Sequence, residues 1–584
     1  MAADSDGAKV SIMTLADELV DMILAYDLLD HRDICRFAQV CSRFNAIATS
    51  NEVWRRRCVR RWKVWRKFSS EDWRQVFRER LQIEQKVLHL IERLTRNAFF
   101  KADVPDKQYT DMTDIIEMHD CDSKGHIENT LVELIEVDLS VQDLTHKHYA
   151  DRLLACLQRF KLIKEWESLL CKPEEEQTLV NGAVLIAQWV QYDKPSEITN
   201  KVSQELERLT EEVRQTVAVS TELQDTTCPV TDQRFLEAVR DVMFTKENFS
   251  GNTEDYYDLD NSMINEVLER KKGIPITLAV VFTAIARRLG VKVEPVNFPN
   301  HFLLRWKCNH DLQAADGSDY QYIDCFNGGR FLSKDQCMNL ISPMLRGIHA
   351  GNIEPQLASA RDVWIRMLSN IIYVCQTTTR LDSRLRCLRH VLELKRMLCP
   401  EDRECRLLQA RVFVHLGINL TEAIETLEYL GSWNNSDRLA FLLQDAKNQK
   451  DSETEDETQR LKPKLRSDPR HSKVIYKVGM VMRHRRYHYG CVIWGWDPFC
   501  NMSDAWIQQM GVDRLPNGRS QPFYNVLGDD GTSRYAAEEN LVIETGQEFN
   551  RHPDLGKYFK AWKGHRYIPN YVLQNIYPED NLDA

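Results

Sequence analysis

His301 and Asp324 are the residues of this chain whose types and spacing are most suggestive of chemistry. They lie in the stretch Gly273 to Gly329, which reads GIPITLAVVFTAIARRLGV, then PVNFPNHFLLRW, then YIDCFNGG. An imidazole that exchanges protons and a carboxylate that orients it are two parts of a Cys-His-Asp constellation. The third part, a cysteine opening the helix, is absent. A helix followed by two strands would bring the two residues together, and the apolar pattern predicts that order.

The rest of the chain has to supply the scaffold. Its 584 residues allow roughly three to five domains. Apolar residues make up 43% and charged residues 28%, ordinary for globular protein, so several cores can be buried. The formal charge is −10, from 77 basic and 87 acidic residues, which argues against a chain built mainly to coat nucleic acid. No apolar run reaches the ~18 residues a membrane span needs. The start, MAADSDGAKVSIMTLADE, carries acids and no apolar core, so no secretory signal is expected. Sixteen cysteines are scattered from Cys35 to Cys500 with no CxxC pair, which reads as reduced thiols in the cytosol or nucleus.

Residues 1–10 read as disordered. Helical spacing then runs through Leu15, Leu19, Ile23 and Leu24, through Ile34, Phe37, Val40, Cys41 and Phe44, and closes at Trp54. The basic run RRRCVRRWKVWRK, residues 55–67, reads as a solvated helix with Trp62 and Trp65 turned inward. Helices continue to about residue 170 and again over 179–215. Paired amphipathic helices return over 358–443. They look tetratricopeptide-like, but too few repeats are visible for an array, so a helical buttress is expected. KNQKDSETEDETQRLKPK, residues 447–464, is nearly free of apolar groups and reads as a flexible linker. Beyond it Gly, Trp, Tyr and Val alternate with turns, and the DDG turn predicts a hairpin. The tail keeps Tyr558, Phe559, Trp562, Tyr567 and Tyr571, enough aromatics to dock. His119, Cys121 and His126 fit no common zinc spacing, so no metal site is assigned, and no cofactor is implied.

Three segments resemble known families. The first carries Leu15, Glu18, Ile23, Leu24, Asp33, Ile34, Val40-Cys41-Ser42-Arg43-Phe44 and Trp54, and resembles an F-box, departing from it at Ala16, where proline is usual. The resemblance implies docking to a Skp-family adaptor and, through it, a cullin. The leftover apolar face would supply the contact, with Leu15, Leu19, Ile23, Leu24, Leu28, Val40, Phe44 and Trp54 as the expected adaptor-binding residues.

The second segment carries Gly273-Ile274-Pro275-Ile276, Ala286-Arg287-Arg288-Leu289-Gly290, Asn297 to Arg305 and Ile323 to Gly329. It resembles the SirB-type transglutaminase-like family. That superfamily's cysteine would fall at Pro275, which cannot be a nucleophile. Thr277 sits two residues on, about 200° around the helix. Cys325 should face the opposite side of the sheet from Asp324, and Cys308 lies near a strand end. Pro275, His301 and Asp324 therefore read as a degenerate site, with no catalytic residue assigned. The alternative is a thiol enzyme with a displaced nucleophile.

The third segment carries Val478 to Tyr487, Gly495-Trp496-Asp497-Pro498, Gln521 to Leu527 and Tyr535 to Leu541. It resembles the YccV/HspQ family, named for binding hemimethylated DNA. From Lys473 to Ile543 eight basic residues face seven acidic ones, a net of +1, which favours a protein surface over a DNA reader. Arg483, Arg485 and Arg486 are the expected nucleic-acid or client contacts, with Arg483 and Arg485 on one strand face.

The expected architecture is multidomain α+β: an N-terminal helical F-box over 11–58, a helical connector over 59–135, and a transglutaminase-like domain over 136–345. A helical buttress over 355–445, a charged linker over 446–470, a small β-barrel-like domain over 472–545 and a docked tail over 546–584 complete it. The expected role is the non-catalytic, client-recruiting subunit of a ubiquitin ligase. The client is unknown, DNA is a minor alternative, no membrane is involved, and the compartment is cytoplasm and/or nucleus.

Overall fold

The computed structural model describes all residues except 1–10, 27, 63–71, 110–120, 137–142, 193–194, 224–231, 299–300, 308–319, 342–355, 378–380, 433–435, 545–548, 550–551 and 582–584. Trp65, Cys308 and His119 thus lie outside the described residues.

Four short helices open the chain: α1 (Asp17–Leu24), α2 (His31–Ala38), α3 (Ser42–Ala48) and α4 (Asn51–Arg61). Side-chain caps start three of them: a capping box between Asp30 and Asp33, the Cys41 thiol, and the Ser50 hydroxyl. Val20, Leu24, Ile34, Ala48, Val53, Trp54, Cys58 and Trp62 form their core. Phe77, from the 25-residue helix Trp73–Asn97, completes it, so the opening module and the connector share one apolar cluster. The basic run is not simply solvated. Arg57 donates to the carbonyls of Leu24, Tyr26 and Leu29, and Arg60 to Ala25, so they cap the C-terminal end of α1.

In the centre, helix Pro275–Arg288 is buried along almost its whole length. It packs on an antiparallel sheet ordered 330–332, 320–324, 301–307, 294–298, 356–357. The expected two strands after this helix are three, because PVNF and HFLLRW form a hairpin, with Phe298 paired to His301. Helices Leu144–Leu170, Leu179–Val190 and Ala360–Thr377 enclose the other side, where Trp166 and Trp364 meet edge to face at 5.4 Å.

Successive helices from Ala360 to Arg460 pack as neighbours. The expected linker is instead the second half of one helix, Asp437–Arg460. Its apolar contacts lie early, with Ala446 fully buried and Leu439, Leu442 and Leu443 on the main core. Eight of the fourteen residues 447–460 are Lys, Gln, Glu or Arg, good helix formers that propagate a helix already nucleated by packing. Past it the chain docks: Lys464 donates its amide to Ile576 and its ammonium to Asp497 at 2.7 Å.

The C-terminal sheet is ordered 533–537, 523–528, 490–497, 481–484, 541–543, all antiparallel. Gly531 turns the 523–537 hairpin at φ 80°. Tyr558, Phe559 and Tyr567 join this domain's core. The same tail reaches the connector: Lys557 donates to the Lys101 carbonyl, Thr145 to Phe559, and Arg152 and Arg386 flank Asp554.

Candidate functional site

Pro275 begins its helix at the first helical position, where its missing N–H leaves no partner wanting. His301 opens strand His301–Lys307 and Asp324 closes strand Tyr320–Asp324, neighbouring strands of the sheet that packs on this helix. Their side chains meet, His301 Nε2 lying 3.5 Å from Asp324 Oδ1. Both are buried, at 7% and 0% exposure. At that separation Nε2 makes no aligned hydrogen bond, and the contact is electrostatic.

Asp324 is held mainly by its own turn. It accepts hydrogen bonds from the amides of Phe326 and Asn327 and, at 2.7 Å, from the Asn327 side chain. Burial pushes its carboxyl up, but His301 and Asn327 outweigh that and hold it below the ordinary range. Gly329, at φ 68°, lets the turn close against Phe244, which a Cβ would meet at 2.6 Å. Phe244 belongs to the π-helical segment Asp241–Lys246. Asp324→Ala is expected to cost about 2–3 kcal/mol locally by stranding those donors, read as faster hydrogen exchange over residues 320–332. A carboxyl with a depressed folded pKa stabilises fully above its unfolded pKa, and that contribution is lost as pH falls through the folded value. Exchange in the parent chain should therefore converge on the variant's under acid.

The other nucleophile candidates are poorly placed. Cys325 is buried in the main core, on the helix side, and burial together with the Asp324 charge raises its thiol well above the usual value. Burial also pushes Cys337 up to about 12. Thr277 is fully buried. Among the described residues no group of His, Cys, Asp and Glu could hold a metal ion.

The N-terminal module presents a second candidate site. Leu15, Leu19, Met22, Ile23, Tyr26, Leu28 and Leu29 line an open apolar groove of about 680 Å³. Leu19 is 49%, Met22 66%, Ile23 41% and Leu28 85% exposed. Three expected contact residues are corrected: Leu24, Phe44 and Trp54 are at most 3% exposed, packed inside the module and absent from the groove lining. Trp54 even spends its indole N–H internally, on the Ala48 carbonyl at 2.9 Å. Val40 is exposed but lies outside the groove lining. Met22 and Tyr26 were missed, although they continue the face of Leu19 by steps of three and four.

On the C-terminal domain the strand Val481–His484 ends before Arg485, so Arg483 and Arg485 do not share a strand face. Arg483 is paired with Glu544 at 2.6 Å, whereas Arg485 and Arg486 stand exposed at the following turn. Among the described residues no helix is long and apolar enough to cross a membrane.

Known proteins match each of these modules. Residues 17–60 match the F-box-like family, 200–369 the transglutaminase-like superfamily, and 474–566 the family described as hemimethylated DNA-binding protein YccV like. F-box only protein 21 of Pongo abelii is 32% identical over 597 residues, covering 97% of this chain and 92% of that one. F-box only protein 21 of Homo sapiens is 31% identical over 604 residues, again 97% and 92%. The UPF0162 protein of Xylella fastidiosa is 32% identical over 240 residues, 40% of this chain and 77% of that one. No solved structure matches. Identity of 31–32% over nearly the full length of both chains makes the assignment: the chain belongs to the F-box only protein 21 family.

Proposed function

We propose that this chain is the client-recruiting, non-catalytic subunit of a Skp-cullin-F-box ubiquitin ligase. The observation that carries the proposal is the apolar groove on α1. Leaving Leu19, Met22, Ile23 and Leu28 in water forgoes burial worth about 1.5–3 kcal/mol per large side chain. A contiguous exposed patch of this kind marks an interaction surface, and an amphipathic adaptor helix fits it. The central domain then binds instead of reacting: Pro275 offers no nucleophile, and the Cys325 thiol is buried and protonated. Arg485 and Arg486 belong to a client-facing surface in this reading, and the buried His301–Asp324 pair fixes the shape of the central domain beneath its own surface. Catalysis is the proximity of a held client to a charged ubiquitin-conjugating enzyme. The compartment is the cytoplasm and/or nucleus, where such ligases work.

The test is co-expression with a Skp-family adaptor and a cullin. The full chain is expected to co-elute with both, and a chain lacking residues 11–58 with neither. That deletion chain should still enrich clients, now protected from degradation, for identification by mass spectrometry. Adaptor capture by the deletion chain would overturn the proposal.

A further inference from the structure

Three exposed tyrosines stand beside the His301–Asp324 pair. Tyr256 and Tyr257 precede the 3-10 turn Leu259–Ser262, and Tyr373 lies on helix Ala360–Thr377. They are 39%, 52% and 48% exposed. Tyr257 meets Tyr256 edge-on at 5.2 Å and Tyr373 at 5.0 Å, while Tyr256 meets Phe326 at 6.1 Å. The patch is continuous with the rim of the pair. The Phe326 amide donates to Asp324, and Arg366 donates to the His301 carbonyl at 2.8 Å. Arg366 lies seven residues before Tyr373, about two turns back on the same helix face. The backbone also makes room for the patch: a Cβ on Gly251 would lie 2.5 Å from the Phe326 ring.

A single exposed tyrosine calls for no explanation, but a contiguous set does. Charge selects the occupant. The segment 253–260, TEDYYDLD, carries four carboxylates and no base. Arg270 neutralises Asp258 and Asp260 at 2.8 and 2.9 Å. Glu254 is 86% exposed and 3.7 Å from Lys272, and Asp255 joins no ion pair among the described residues. The basic groups nearby are engaged, Arg366 by Asn297 and the His301 carbonyl, and Arg330 3.8 Å from Asp324. Exposed tyrosine rings beside Asp255, which no ion pair neutralises among the described residues, favour a cationic side chain, whose stem packs on the rings while its head meets the acid. An acidic or phosphorylated ligand would meet like charge.

We infer that Tyr256, Tyr257 and Tyr373, with Asp255, form the docking surface for an extended client segment bearing lysine or arginine side chains. The inference rests on the client-recruiting role proposed above and names the chemistry of the client.

The test uses the full chain bound to its Skp-family adaptor. The probes are a fluorescein-labelled Gly-Ser peptide with interspersed lysines and arginines, and a matched peptide with glutamates, both followed by anisotropy. The cationic peptide should bind, weakening as salt rises, and the glutamate peptide should not. Tyr257→Ala, Tyr373→Ala and Asp255→Asn should each weaken binding by roughly three- to tenfold. Because the tyrosine changes leave net charge untouched, they separate this surface from general attraction to an acidic protein. Each variant should melt and capture adaptor like the parent. Absent binding, equal binding of both peptides, or tyrosine variants with parental affinity would overturn the inference. Failure of the parent chain to capture adaptor would instead overturn the proposed function.

Discussion

Leu19→Glu and Ile23→Glu are each expected to abolish stable capture of a Skp-family adaptor without disturbing the fold. Both side chains line the groove and stand 41–49% exposed, so the free chain tolerates a carboxylate there. In the complex that carboxylate would be buried among apolar groups without a partner, costing about 2–4 kcal/mol, or thirty- to a thousandfold in affinity. Two controls sharpen the result. Val40→Glu alters a 64%-exposed residue outside the groove lining and should have a much smaller effect. Val20→Glu alters a fully buried neighbour of Leu19 and should unfold the module. Calorimetric titration with adaptor, alongside thermal melting, distinguishes these outcomes. Unchanged affinity in Leu19→Glu and Ile23→Glu would remove the groove as the docking face.

Arg389→Met is expected to be the most destabilising single change in the helical centre. Arg389 is 1% exposed, yet it donates to Asp103 at 2.6 Å and to the Val104 carbonyl at 2.8 Å, and pairs with Asp106 and Glu393. It therefore ties the connector to helix Leu381–Leu398. Burial pushes the Asp103 carboxyl up, but Arg389, with Arg152, His390 and the Val104 amide, outweighs burial and holds it at about 2. Removing the cation leaves the buried Asp103 carboxylate without its main compensation, a loss of about 3–5 kcal/mol. The pH dependence gives a second readout. With its folded pKa depressed, Asp103 stabilises the parent fully above its unfolded pKa, near 3.9, and that contribution disappears toward pH 2. In the variant Asp103 takes up a proton more readily than in the parent. The gap between the two urea midpoints should therefore narrow as pH falls below about 4. A gap constant from pH 7 to pH 3 would show that Asp103 is not Arg389's essential partner.

Much of the scaffold was legible from pattern. The unbroken apolar run after Gly273 forms the buried helix, and the DDG turn forms the hairpin at Gly531. The sequence also pointed to His301 and Asp324 meeting, because adjacent strands of one sheet can hardly separate them. Which face of α1 points outward was not legible. Val20 and Leu24 are four residues apart, as are Leu19 and Ile23, so both pairs have helical spacing, and only packing against Ala48 and Trp54 turns the first pair inward. The helix Asp437–Arg460 was hidden for the opposite reason, since its anchors lie early in it and its own composition resembles a solvated linker. The tyrosine surface left no signal at all, because Tyr257 and Tyr373 meet only through the tertiary fold.

Helix Trp73–Asn97 has one end in the core of the N-terminal module, through Phe77, and the other against the C-terminal tail, where Arg96 and the Glu92 carbonyl bond the Tyr571 hydroxyl. It spans about 37 Å. The chain thus carries its N-terminal module and its C-terminal domain on a single rod, and the angle between them is written in helical phase. Adding one residue to that rod would rotate one end against the other by about 100°, whereas adding seven would lengthen it by about 10 Å with little net rotation. Orientation and reach are therefore separately adjustable, and in the proposed ligase the number of residues in this one helix would set which client lysines face the ubiquitin donor.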